Sequence, residues 1–240
     1  MNYKLEVIGF TIDGCRIAQS EGAHRIELCD NPGDGGTTPS YGFIQTARKL
    51  LHIDLYPIIR PRGGDFLYNQ EEFEIMQEDI RVSKKLGCNG IVTGILTTEG
   101  KVDTKRMRKL CALSYPLGVT FHRAFDRTID PLEAMEEIIN LGCERILTSG
   151  QKPFAVDGVA LLKQLVEKSD ERIIIMPGSG VNSSNIRELA SSGAYEFHTS
   201  ARYKIKSNSY YKPAIGEVPE SISVDGEEVR NILNILREIS

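Results

Sequence analysis

Leu86-Gly87-Cys88-Asn89-Gly90-Ile91-Val92-Thr93-Gly94 is one of four near-copies of a single phrase in this chain. The others are Glu21-Gly22-Ala23-His24-Arg25-Ile26-Glu27-Leu28-Cys29, Leu141-Gly142-Cys143-Glu144-Arg145-Ile146-Leu147-Thr148-Ser149 and Ser192-Gly193-Ala194-Tyr195-Glu196-Phe197-His198-Thr199-Ser200. Each reads as a helix end, a glycine, a small residue and then a strand. Glycine suits the left-handed position that follows a helix. The small residue suits close packing of that helix against a sheet, so Cys88 and Cys143 read as small buried side chains rather than ligands. Between the copies, apolar runs at Lys4–Ile8, Ile53–Ile59, Val119–His122 and Arg172–Met176 read as four further strands. Eight strands alternating with helices, about thirty residues apart, is the rhythm of a TIM (β/α)8 barrel, here a single α/β domain over residues 1–240. The competing open doubly wound sheet would carry GxGxxG after its first strand; that motif is missing, so no nucleotide cofactor is expected. Residues 202–224 read as a long irregular loop before a last helix, Glu227 to Ile239.

The repeat also predicts which way each strand faces, because strand side chains alternate sides. Ile26, Ile91, Ile146 and Phe197 are uniformly apolar, which places them under the helices. Glu27, Val92, Leu147 and His198 then face the barrel interior, with Cys29, Gly94, Ser149 and Ser200 above them. By the same alternation Glu6, Arg60, Arg62 and His122 point inward from strands 1, 3 and 5.

The chain has 240 residues, 40% hydrophobic and 26% charged, a globular balance with ample length for a core. A net charge of −4 argues against general nucleic-acid binding. The N-terminus MNYKLEVIGF lacks the apolar run of a signal peptide, and no apolar run is long enough for a bilayer, so no membrane partner is expected. Cys15, Cys29, Cys88, Cys111 and Cys143 are odd in number and contain no CxxC. That speaks against a disulfide framework or a structural zinc site, and for a reduced, cytoplasmic protein. Tyr210-Tyr211 reads either as an interface patch for a homo-oligomer or as a loop packed on the barrel.

Seven motifs run from strand 2 to strand 8: RIELC (25–29), GGTTPS (35–40), IIRPRGGDF (58–66), TFHRAFD (120–126), ILTSG (146–150), MPGSG (176–180) and EFHTSAR (196–202). With these the chain resembles the CutC family of copper homeostasis proteins over nearly its whole length. The resemblance implies a TIM barrel, a cytoplasmic location and a role in copper handling. It also implies copper binding through cysteines near the ends of strands 1 and 2. Cys29 matches the second, whereas Ile8 stands at the first, and soft copper favours two or more sulfur ligands. Weak, non-stoichiometric copper binding is the expectation for such a site.

The residues themselves suggest a second chemistry. Glu6, Glu27, Arg60, His122 and His198 crowd one interior as candidate catalytic groups, since a histidine and a carboxylate together divide general acid and base roles. Each also has a structural account: a buried carboxylate is more often an arginine's partner. At the ends of strands 7 and 8, Gly178, Ser179, Gly180 and Ser200, with Ser149 and Arg62 nearby, form a candidate anion site. A helix expected to start at Asn182 would point its positive end there. Three readings remain: a copper-handling protein, an enzyme acting on a small anionic metabolite, phosphorylated or not, and a binding module without turnover. Paired inward charges that leave no cavity would favour the third.

Overall fold

The computed structural model describes residues 3–211 and 220–240. Eight parallel strands alternate with helices: β1 (Lys4–Gly9), α1 (Ile12–Ser20), β2 (Arg25–Leu28), α2 (Tyr41–Leu50), β3 (Asp54–Pro57), α3 (Gln70–Lys85), β4 (Gly90–Thr93), α4 (Thr104–Ser114), β5 (Gly118–Phe121), α5 (Pro131–Asn140), β6 (Arg145–Thr148), α6 (Val159–Ser169), β7 (Ile174–Pro177), α7 (Ile186–Ala190) and β8 (Glu196–Thr199). The ladders run β3-β2-β1-β8 and β4-β5-β6-β7. The two sheets meet where the Ile59 N–H donates to the Val92 carbonyl at 2.7 Å, beside an Ile58–Val92 bridge. Strands β7 and β8 lie side by side at the other junction. This is an α/β TIM-like barrel. Strand β3 stops two residues before its apolar run does, because Pro57 has no N–H for the ladder; Ile58 and Ile59 stay extended and paired with β4.

The facing follows the repeat. Ile26, Ile91, Ile146 and Phe197 are fully buried in the large outer core beneath the helices. A separate inner cluster holds Ile8, Cys29, Tyr56, Ile58 and Val92. Helix ends are closed by the expected devices. Asn69 and Glu72 form a reciprocal capping box on α3, and Asp130 caps α5 with Pro131 in its first turn.

The stretch 202–224 departs from the irregular loop expected. Strand β9 (Arg202–Lys206) pairs antiparallel with β10 (Glu220–Val224), and residues 212–219 lie outside the described residues. Strict alternation in Arg202-Tyr203-Lys204-Ile205-Lys206 is the period-2 signal of a strand. The hairpin is anchored at one end only: Val224 is buried against α1, and β9 is exposed throughout. Tyr210 and Tyr211 are exposed rather than packed on the barrel. Helix α8 (Gly226–Glu238) follows, capped by Asp225, with Val229, Ile232, Leu233 and Leu236 buried. No helix among the described residues is long and apolar enough to cross a membrane.

Candidate functional site

The barrel interior is layered, and its base is ionic. Arg25 Nη1 donates to Glu6 Oε2 at 3.1 Å and Nη2 to Glu196 Oε2 at 2.7 Å. Arg145 Nε donates to the same Glu196 oxygen at 3.1 Å, and its Nη1 reaches Thr120 Oγ1 at 3.3 Å and Glu144 Oε2 at 2.9 Å. Both guanidiniums stack on the Tyr56 ring, 5.1 and 5.3 Å from its centre. Such a network offsets the desolvation of four buried charges only because every charge has a partner. Arg25, Gly90, Arg145 and Glu196 occupy one column of the fourfold repeat, the inward position below Glu27. That column is the sequence signal for this layer, two residues below the Glu27 column from which the inward side was assigned.

One layer higher, Glu6, His198 and Glu27 come together. Glu6 Oε1 lies 2.7 Å from His198 Nδ1, and Glu27 Oε2 lies 3.7 Å from His198 Nε2. All three are buried, although His198 keeps 8% of its surface and neighbouring Phe197 none, so access comes from inside the barrel. Environment pushes the two carboxyls apart. Burial alone would raise Glu6, but the His198 hydrogen bond and the Arg25 charge outweigh it and hold this carboxyl down to about 2. No arginine pairs with Glu27 among the described residues; burial, reinforced by the Glu6 charge, carries it up to about 7. Burial opposes the charge on His198, yet its bond to Glu6 and the charges of Glu27 and Glu6 raise it above the ordinary histidine value. Donor atoms of these three side chains lie within 4.8 Å of one another. A cation there would have to displace the Glu6–His198 and Glu6–Arg25 bonds, so the arrangement reads as a proton relay.

The other expected site residues fall in several places. His122 is buried apart from the triad. Its Nδ1 accepts the Ala124 N–H at 3.2 Å, which leaves the proton on Nε2, an atom with no partner among the described residues. Burial and the neighbouring Arg60 charge push it down to about 3, so His122 is a neutral donor near pH 7 and not a general base. Arg60 is buried and committed to carbonyls: Nη1 to Asp34 and Gly36, Nη2 to Gly64, with the plane 4.9 Å from the Phe66 ring. It clamps two loops together rather than facing the triad. Arg62 does not point inward. Pro61 and the Gly63-Gly64 turn end the strand alternation before it acts, and Arg62 pairs with Glu72 at 2.6 Å and Asp65 at 2.9 Å. Cys29 packs in the inner apolar cluster, its thiol bonded to Glu27, and burial with the nearby carboxylates pushes that thiol well above its ordinary range.

At the ends of β6 to β8, Gly178 is required by space: a Cβ there would lie 2.3 Å from Leu147 Cδ1 and 3.3 Å from His198 Cβ. Ser179 has φ of 85° and donates its hydroxyl to the Pro153 carbonyl at 2.7 Å, while Phe154 covers Gly180. Ser200 is half-buried just past β8. The expected helix from Asn182 is displaced: α7 starts at Ile186 and has five residues. Asn182 and Asn185 instead fold residues 182–185 into a side-chain-bonded turn, both amides donating to the Gly180 carbonyl at 3.0 and 2.8 Å. The helix dipole invoked for an anion is therefore largely lost. Ser149 belongs to a better-built group. Its hydroxyl accepts from Arg123 Nη2 at 3.0 Å, and Asp126 accepts from Arg123 Nε at 2.8 Å and from the N–H groups of Ser149 and Gln151. Arg123 is 41% exposed and close enough for its charge to act on His198. Both residues stood in the TFHRAFD motif but were not singled out.

Fold and interior together define a class: TIM-like barrels with a buried acid–histidine–acid centre below the strand ends. Residues 3–203 match the model of the CutC family. A family protein CutC of Chromobacterium violaceum is 50% identical over 213 residues, 88% of this chain and 86% of the relative. The human copper homeostasis protein cutC homolog is 46% identical over 201 residues, 83% and 74% of the two chains. A CutC crystal structure from Streptococcus agalactiae superimposes with a TM-score of 0.79 at 34% identity, covering 82% of this chain and 98% of that one. The chain belongs to the CutC family.

Proposed function

We propose that the barrel interior carries out general acid–base chemistry on a small anionic metabolite bearing a phosphate or a carboxylate. One observation carries this reading: two buried carboxyls flank one histidine, one held at about 2 and the other lifted to about 7. Pairs of titratable groups pushed apart by their surroundings mark acid and base assignments. Glu27 is the group that exchanges a proton near neutral pH, and His198, oriented and charged by Glu6, relays it. Arg123, beside Ser149 and partly exposed, is the cation that meets the substrate's negative charge. The reaction takes place in the cytoplasm, where all five cysteines stay as thiols. The test is a thermal-shift screen of anionic metabolites, followed by turnover of whatever binds. Binding that survives Glu27→Gln while turnover disappears supports the reading. Turnover unchanged in that variant, or no anion bound, would sink it.

A second reading, a part in copper homeostasis, is favoured by the name of the human relative. At the barrel mouth it meets a single protonated thiol, Cys29, with Ile8 packed in the same apolar cluster.

A further inference from the structure

Arg60 is 4% exposed, and among the described residues no Asp or Glu side chain pairs with it. Its Nη groups meet three carbonyls, which satisfy the N–H bonds but bring no negative charge. The acids of the two loops it clamps are already engaged: Asp65 pairs with Arg62, and the Asp34 carboxylate accepts from Asn31. An arginine this buried is almost never left without a counter-charge.

Three polar atoms around the same guanidinium are also unpaired. Arg60 Nε, Tyr68 Oη and His122 Nε2 are buried, and none has a hydrogen-bond partner among the described residues. They belong to one corner, formed by the loop after β3 and the end of β5. The Phe66 ring lies 4.9 Å from the Arg60 guanidinium and 4.7 Å from the His122 ring. The Arg60 charge acts on both the Tyr68 phenol and His122. The His122 ring is fixed in place by the Ala124 N–H on Nδ1 and by Gly94, where a Cβ would come within 2.8 Å of it. A buried donor without an acceptor is costly, and three in one corner call for a shared one.

The chemistry of the corner selects that acceptor. Arg60 Nε and the protonated His122 Nε2 can only donate, and the Tyr68 hydroxyl is free to donate. A water molecule has two lone pairs to offer and adds no charge. An anion accepts from all three groups and supplies the missing negative charge. Arg127, exposed and 5.0 Å from the same Phe66 ring, adds a second cation at the rim. The three atoms are buried and Phe66 beside them is only 8% exposed, so the occupant is small. The corner stands apart from the Glu6–His198–Glu27 group and does not depend on its chemistry.

We propose that one small monovalent anion, of chloride size, binds in this corner, held by Arg60 Nε, His122 Nε2 and the Tyr68 hydroxyl. The probe is bromide. Crystals grown in bromide should show one anomalous peak within hydrogen-bonding reach of all three atoms. In solution, bromide replacing gluconate at constant ionic strength should raise the melting temperature along a saturable curve. Tyr68→Phe removes only the hydroxyl. In gluconate this variant should melt no lower than the wild type, because it sheds an unpaired buried group. In bromide its half-saturating concentration should be roughly tenfold higher. No anomalous signal at the corner, a bromide peak without a saturable shift in solution, which marks an adventitious ion only, or the same bromide dependence in Tyr68→Phe as in the wild type would each overturn the proposal.

Discussion

Replacing Glu27 by Gln keeps the shape of a protonated carboxyl and removes its ability to ionise. The folded group titrates at about 7, against 4.5 when unburied. A folded pKa above the unfolded one means that the native state binds the proton more tightly. Glu27 therefore costs nothing below pH 4.5, costs progressively more between 4.5 and 7, and costs its full amount above 7. At about 1.4 kcal/mol per pH unit, that gap amounts to about 3 kcal/mol. The Gln variant never ionises and never incurs this cost. It should match the wild type at pH 4.5 and exceed it by up to about 3 kcal/mol at pH 8, a rise in Tm of roughly 6–12 °C for a chain of this size. Urea unfolding at the two pH values measures the difference directly. A variant no more stable than the wild type at pH 8 would show that the Glu27 carboxylate is comfortable where it is, and the acid–base reading would lose its proton donor. The same substitution should abolish turnover, so stability and activity are expected to move in opposite directions.

Two further outcomes follow from the interior. Glu196→Gln leaves Arg25 and Arg145 without the negative charge they share; it should lower stability by about 3–5 kcal/mol, seen as an earlier urea midpoint, and a loss below about 1 kcal/mol would show that the network is not stabilising. His122, pushed down to about 3, should remain neutral with its proton on Nε2 down to about pH 4 in an imidazole NMR titration, and protonation near 6.5 would contradict its assigned environment. Because that folded value lies below the unfolded 6.5, His122 favours the native state above pH 6.5 and loses that contribution as pH falls toward 3.

Much of this was legible in the sequence where a local rule repeats. Four glycine–small–strand phrases were enough to predict the barrel rhythm, and the facing of Glu27 and His198 followed from alternation alone. Alternation holds only while the chain stays extended, which is why it placed Arg60 on the inner side but failed for Arg62, two residues and one proline later. It also failed at Asn182, where four consecutive Asn and Ser residues preferred their own side-chain bonds to a helical turn. Partner choice was less legible still. That Arg60 would be taken by three carbonyls depends on loops from residues 34, 36 and 64 meeting in space.

The interior also explains why Glu27, rather than Glu6, is left to exchange protons. At the base two buried arginines, Arg25 and Arg145, face two buried carboxylates, Glu6 and Glu196, with the half-exposed Glu144 and Lys4 adding one charge of each sign at the edge. His198 adds one cation in the next layer, and its closer contact, 2.7 Å against 3.7 Å, is with Glu6. Glu27 is thus the carboxyl left with the more distant partner. Buried carboxyls without a full partner keep their proton until the pH rises well above the usual carboxylate range. Moving one cation upward would reverse the assignment: a lysine or arginine at Val92, the residue in Glu27's column of the repeat on β4, is expected to hold Glu27 ionised and leave the layer without an acid. The assignment therefore turns on which carboxyl holds the closer cation, and Val92 and Leu147, the apolar residues that fill Glu27's column of the repeat on β4 and β6, are as much a part of that arrangement as the histidine.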